Sequence, residues 1–269
     1  MKYYEVKPHS ILRNYVKCFW YMEKDYSSNS LVGEPILPDG CVDFVFQIAE
    51  NKLYMQTGDS FIRQPDSFVI GQQKKPITLT AKGKSITAGI RFLAYGAYPF
   101  LKIPISELGQ PTIALNELLG RNIVELAEKI QTLSVKQIFR EFEKFLELHL
   151  ATFKADIEPV KIATGIIFEQ QGFTDIVKLA LEINLSTRNL ERKFDEVVGI
   201  SPKSLARVVR FDQIKNELVL NPQTSLTRLS FRYGYFDQAH FIHDFKLFTG
   251  KTPSLFKAEV IKQHMYFYK

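Results

Sequence analysis

The sequence predicts an α+β, multidomain chain. A β-rich N-terminal domain of the jelly-roll or cupin-like barrel type comes first, then a helical hairpin, then an all-α C-terminal domain built as a homeodomain-like tandem helix-turn-helix. Three observations predict this. Short apolar or alternating runs parted by turn signals fill residues 1–95, helical periodicity replaces them after Pro104, and the last hundred residues contain an internal repeat.

In the β-rich part the runs are 15–22, 41–48, 67–70, 77–80 and 85–92. Pro38-Asp39-Gly40, Thr57-Gly58-Asp59 and Lys82-Gly83-Lys84 mark turns between them. Several short strands at this spacing suggest a sandwich or barrel. Further on, Ile123, Leu126, Ala127 and Ile130 recur at helical spacing, as do Val135, Ile138, Phe139, Phe142, Phe145 and Leu146. Two helices are expected, over 121–132 and 135–151. Their apolar positions exceed one stripe, which predicts a role in homodimerisation. The polar stretch 152–159 reads as a linker, and everything from 160 onward reads as helical. The expected division is therefore 1–112 as a sensor or effector domain, 113–153 as the hairpin and 160–260 as the repeat-bearing domain.

Composition removes several classes of function. At 269 residues, 45% apolar and 24% charged, the chain has the make-up of a folded protein. Its two cysteines, Cys18 and Cys41, form no CxxC or Cys/His cluster, so neither a disulfide scaffold nor a structural zinc site is expected. Residues 1–148 contain one histidine, His9, which leaves no ligand set for a His-rich cupin metal site. GxSxG, GxGxxG and Walker motifs are missing, and Asp39 and Asp43 read as a turn entering a strand rather than a catalytic pair. No enzyme activity and no cofactor is expected. With no apolar run near ~18 residues and no N-terminal h-region, a cytoplasmic, non-membrane protein is expected. The net charge is +6, and within 186–257 twelve basic residues face seven acidic ones. That local excess fits a phosphate-facing surface.

The repeat is more specific. One copy runs Ile176-x-x-Leu179-Ala180, Asn184-Leu185-Ser186, Leu190-x-Arg192-x-Phe194 and Gly199-Ile200-Ser201-Pro202. The second runs Leu226-x-x-Leu229-Ser230, Gly234-Tyr235-x-Asp237, Phe241-x-His243-x-Phe245 and Gly250-Lys251-Thr252-Pro253. Ala180 and Ser230 are small enough for a second helix to cross closely. Asn184 and Gly234 tolerate the positive φ of a tight interhelical turn. Ser186 and Asp237 are N-caps, and Ser201-Pro202 and Thr252-Pro253 pair an N-cap with Pro at the first helical position. On the second helix of the first copy, Leu190, Phe194 and Val197 share an apolar arc, and Arg188, Glu191, Arg192 and Asp195 face outward. Ala239, Ile242, His243 and Lys246 are the outward positions of the second copy. A helix, a short turn and a capped second helix, present twice, make a tandem helix-turn-helix, the module that reads double-stranded DNA.

With these motifs the chain resembles the AraC/XylS transcriptional regulators over about 160–260. Ala180, Ser186, Leu190, Arg192, Phe194, Gly199, Ser201, Pro202 and Arg210 match in the first unit and strut. Gly234, Tyr235, Asp237, Phe241, Phe245, Lys246, Gly250 and Pro253 match in the second. Residues 37–44 and 89–92 resemble, more weakly, an uncharacterised N-terminal domain of some members. Two positions depart from the pattern, His243 where the family has Arg and Asn184 where it often has Gly.

The resemblance implies that the helix after each turn enters the major groove. It assigns base contacts to Arg188, Glu191, Arg192, Gln238, Ala239 and His243, and phosphate contacts to Ser186, Thr187, Asp237, His240, Lys246, Lys251 and Thr252. Arginine can bind guanine through two hydrogen bonds and glutamate can accept from cytosine. Glu191 is expected either deep in the groove or paired with Arg188 across one turn. A helix over 202–220 would span about 28 Å, close to the ~34 Å major-groove repeat. The implied function is regulation of transcription initiation, as an activator acting on RNA polymerase and modulated by a small-molecule effector or partner at the N-terminal domain. The alternative is an N-terminal domain that only dimerises or docks a protein.

Overall fold

A computed structural model describes residues 1–26, 33–109, 111–153 and 155–267, with the side chains of Ser10, Glu34 and 262–267 outside the description. The N-terminal part has ten strands: β1 (Lys2–Val6), β2 (Val16–Asp25), β3 (Glu34–Ile36), β4 (Val42–Gln47), β5 (Leu53–Thr57), β6 (Ser60–Arg63), β7 (Ser67–Ile70), β8 (Ile77–Ala81), β9 (Lys84–Phe92) and β10 (Thr112–Ala114). They form two antiparallel sheets, ordered β1-β2-β9-β4-β7-β10 and β3-β8-β5-β6. The expected barrel is corrected here. Each sheet keeps its own two edges among the described residues, so the strands stack as layers and do not close into a ring.

The layering explains why 41–48 is almost continuously apolar. Every residue of β4 is buried. Phe44 and Phe46 turn to the helical layer, where Phe142, Phe19 and Phe92 pack on them, with the Phe46–Phe142 ring centroids 4.9 Å apart. Val45 turns to the second sheet, packing with Leu53, Ile77 and Leu79. A strand covered on both faces loses the alternation of a half-exposed one. The helical layer comprises α1 (Tyr98–Leu101), α2 (Leu115–Leu119), α3 (Arg121–Lys129) and α4 (Val135–Leu150). The helix expected over 121–132 ends in a 3-10 turn, Ile130–Thr132, and the helix expected over 135–151 is α4, opened by a capping box between Ser134 and Gln137. Ile123, Leu126, Ile138, Phe142, Phe145 and Leu146 are all consumed in this core. The surplus of apolar positions expected to face a second copy therefore packs within the chain, and Val124 and Leu148 are the large apolar residues the two helices leave exposed.

The C-terminal part is α5 (Glu158–Glu169), α6 (Ile176–Glu182), α7 (Thr187–Val197), α8 (Pro202–Leu220), α9 (Leu226–Arg232), α10 (Gln238–Thr249) and α11 (Pro253–Phe267). The stretch read as a linker is partly structural. Ile157 is buried, and Phe153 packs edge-on against Tyr98 at 6.0 Å.

Candidate nucleic-acid interface

The first unit is α6 and α7. Asp175 opens α6 by accepting the backbone N–H groups of Val177 and Lys178, at 3.0 and 3.2 Å. The chain then reverses at Asn184, whose φ is +57°, the left-handed turn expected at that position. Ser186 caps α7 by accepting the Asn189 N–H at 3.2 Å. Leu179, Ala180, Leu190, Phe194 and Val197 are buried together in one core with Leu205 and Val209 of α8. The second unit repeats the construction. Ser225 caps α9, Gly234 turns with φ +68°, and Asp237 caps α10 by accepting the His240 N–H at 2.7 Å. Its core holds Leu229, Tyr235, Phe241, Phe245 and Phe248 with Phe211 and Ile214 of α8.

The helix expected over 202–220 is α8, 19 residues long, and it is the strut common to both cores. Arg210 on α8 links the two units. Its Nη2 donates to the Gly172 carbonyl at 2.8 Å, and its guanidinium lies over Phe173 at 5.1 Å and over Tyr235 at 5.7 Å. Gly172 can be nothing larger, because its φ is +79° and an added Cβ would stand 2.2 Å from the Ala206 carbonyl oxygen. A second link is Arg207, which donates to both carboxylate oxygens of buried Asp244 on α10, at 2.6 and 3.2 Å. That hydrogen bond, first among the local influences, raises the affinity of Arg207 for its proton.

The outward residues of the two units stand in different electrostatic settings. Arg188, Glu191 and Arg192 are exposed, and none makes a side-chain hydrogen bond or ion pair among the described residues. The Arg188–Glu191 pair considered from sequence therefore does not form. In the second unit one polar group is hydrogen-bonded within the protein and two exposed histidines lie near a buried carboxylate. Gln238 Nε2 donates to Thr227 Oγ1 at 2.6 Å, and His243 Nδ1 and His240 Nε2 lie 3.5 and 3.8 Å from Asp244 Oδ1. Ala239 and Ile242 stay exposed. Among the expected phosphate contacts, Ser186, Asp237 and Thr252 serve as caps, with Thr252 Oγ1 accepting the Leu255 N–H at 3.4 Å. Lys251 is paired with Glu259 at 2.7 Å, Thr187 is half-buried, and Lys246 is exposed without a partner among the described residues.

Sequence reasoning missed how closely the N-terminal layer grips these units. The Tyr98 hydroxyl, lifted to about 12 by burial and by Glu196, donates to the Glu196 carboxylate at 2.6 Å. Ser106 donates to Asp195 at 2.9 Å. Ala94 and Tyr95 enter the core of the first unit, and Leu37 packs on the core of the second. Asp195 and Glu196 lie toward the C-terminal end of α7, and Arg188 and Arg192 remain in solvent. The apolar Leu93-Ala94-Tyr95 after Phe92 was the available signal, but a run of three residues does not say which core it joins.

Two helix-turn-helix units sharing one strut define a DNA-binding module of the tandem type. Residues 179–259 match the family model described as a helix-turn-helix domain, and residues 4–114 match a domain of unknown function. The chain thus carries a helix-turn-helix domain behind an N-terminal domain of unknown function. It is 31% identical over 152 residues to the Msm operon regulatory protein of Streptococcus mutans, a match covering 56% of this chain and 51% of that protein, so the chain matches about half the length of this curated relative. Among solved structures it is similar to ToxT from Vibrio cholerae, with a TM-score of 0.49, 9% identity, and coverage of 89% of this chain and 97% of ToxT. A ToxT structure with bound unsaturated fatty acid gives a TM-score of 0.46 at 10% identity, covering 89% and 94%. Among the described residues no helix is long and apolar enough to cross a membrane.

Proposed function

We propose that the chain is a sequence-specific regulator of transcription initiation, an activator that reads double-stranded DNA through α7 and α10 and responds to a ligand or partner at its N-terminal domain. The observation that carries this reading is the shared strut α8, which packs into the cores of both helix-turn-helix units and bonds to Gly172 through Arg210 and to Asp244 of α10 through Arg207. On this reading Arg188, Glu191 and Arg192 contact bases under the first unit. Gln238, Ala239 and His243 face bases under the second. Ser186, Thr187, Asp237, His240, Lys246, Lys251 and Thr252 lie along the phosphates, where the helix N–H groups that the caps do not engage attract anions. Sequence constraint concentrates under the first unit, because its three groups are free to bond base edges, whereas in the second Gln238 is bonded to Thr227, Ala239 has no hydrogen-bonding group and His243 lacks the two-pronged donor of an arginine. The activator role and RNA polymerase as partner rest on the family resemblance. The working division is 1–112 as sensor, 113–153 as hairpin and 160–260 as reader, in a cytoplasmic protein without catalytic activity.

For the N-terminal domain, ligand sensing is favoured over docking by a cavity of about 250 Å³ between the two sheets. Trp20, Met22, Ile36, Leu53, Ile70 and Leu79 wall it, and the buried Thr87 hydroxyl in it has no hydrogen-bond partner. Its polar end is the pair Arg91–Asp43, at 3.1 and 3.2 Å, with Trp20 Nε1 donating to Asp43 at 2.9 Å. A homodimer through the hairpin would use Val124 and Leu148. Selection of sites from random DNA with the full chain, compared with Arg192→Ala, tests the reading. The wild type enriches one site, and the variant loses preference at one base pair of it.

A further inference from the structure

The second unit exposes an apolar stripe where a DNA reader ordinarily carries hydrogen-bonding groups. Phe236 is 92% exposed, and it is the residue by which the second turn is longer than the first. Its neighbours fix it there. Tyr235 before it and Phe241 beyond it are buried in the core of the unit, Gly234 turns the backbone, and Asp237 caps the helix that follows. Ala239 and Ile242, the latter 42% exposed, lie three residues apart on one face of α10, and Phe236 stands immediately before the N-cap of that helix. Of the polar side chains beside them, Gln238 donates to Thr227, and His240 and His243 lie 3.8 and 3.5 Å from Asp244.

We infer that this stripe, on the reading of α10 as a major-groove helix, recognises the 5-methyl groups of thymine, so that the second unit selects a thymine-bearing half-site by apolar contact. The thymine methyl is the one apolar feature on the major-groove edge, and alanine and phenylalanine side chains are suited to it. Cytosine has only a hydrogen where thymine has the methyl, and the amino, keto and N7 groups of the other edges would be desolvated without a partner. The first unit presents two arginines and a glutamate at the corresponding helix and so reads polar edges. The duplicated module thus joins two kinds of readout on one strut.

The test uses the full chain and the site it selects from random DNA. Replacing each thymine by uracil removes only the methyl group. Under the second unit we expect each contacted methyl to be worth about fourfold in affinity, the factor for one methylene-sized group returned to water. The same replacement under the first unit leaves affinity unchanged. Phe236→Ala and Ile242→Ala bind thymine and uracil sites more nearly alike, and because Phe236 is exposed its removal leaves the melting temperature in place. Equal sensitivity to uracil in the two halves, or none in either, with a site still selected, overturns the inference. Failure to select any site overturns the DNA-reading function itself, and this inference with it.

Discussion

Arg210→Ala should cost both stability and the registration of the two units. The substitution removes a charge-assisted hydrogen bond to the Gly172 carbonyl, 2.8 Å long, of a type worth about 1.5–3 kcal/mol. It also removes cation–π contacts to Phe173 and Tyr235, each worth about 0.5–1 kcal/mol where partly solvated. Arg210 Nε is buried without a partner, a cost that disappears with the side chain and offsets part of the loss. The net expectation is about 2–4 kcal/mol, read as a shift in the urea midpoint. Phe173 stacks on Tyr233 of the second unit at 6.2 Å, so the same loss loosens the seam between the units. Affinity for a two-part site should then fall more than affinity for a duplex holding only the half under α7. Arg210→Lys keeps the charge but not the planar fork, and should recover little. A cost below about 1 kcal/mol, with the two DNA affinities unchanged in ratio, would refute the coupling role.

Other outcomes follow from the same contacts. Phe194→Ala and Phe245→Ala, both fully buried, should lose about 3–5 kcal/mol and unfold the reader, so a variant with an unchanged melting temperature and lost DNA binding would contradict their core role. Arg192→Ala should weaken specific binding by about 1–3 kcal/mol and leave binding to random DNA nearly unchanged; equal losses on both would assign it to phosphate. Arg207→Met leaves buried Asp244 without its cation and should cost about 2–4 kcal/mol, below the full range for a dry pair because Arg207 is one-third exposed. Tyr98→Phe removes the bond to Glu196 and should cost about 1 kcal/mol in the denaturation midpoint. A ligand of the inter-sheet cavity should raise the melting temperature of the full chain, and Thr87→Val should alter that response; the intact chain is the right sample because Ala94 and Tyr95 belong to the core of the first unit.

What the sequence made legible was set by covalently local chemistry. Asn184, Gly234, Ser186 and Asp237 act within a turn of themselves, so their spacing carried the tandem motif, and α8 begins and ends where its apolar positions and Pro202 place it. Strand β1 left no such trace, because all five of its residues are exposed and no alternation marks it. The layered arrangement was likewise hidden. The double burial of β4 looks the same in a closed barrel as in stacked sheets, and only the strand order separates the two. At the candidate site, outward positions were legible from helical periodicity. Their engagement was not, because Gln238–Thr227 and Arg207–Asp244 join residues eleven and thirty-seven apart.

The central claim is that two unequal readers occupy one stretch of duplex. Base-by-base information content in sites selected by the full chain from random DNA measures it most directly. The account predicts two short blocks about one helical turn apart, the block under α7 rich in information and carrying G·C pairs suited to Arg188 and Arg192, the other weaker and dominated by thymine. Two blocks of equal information, or a single block with no second half one turn away, would contradict it.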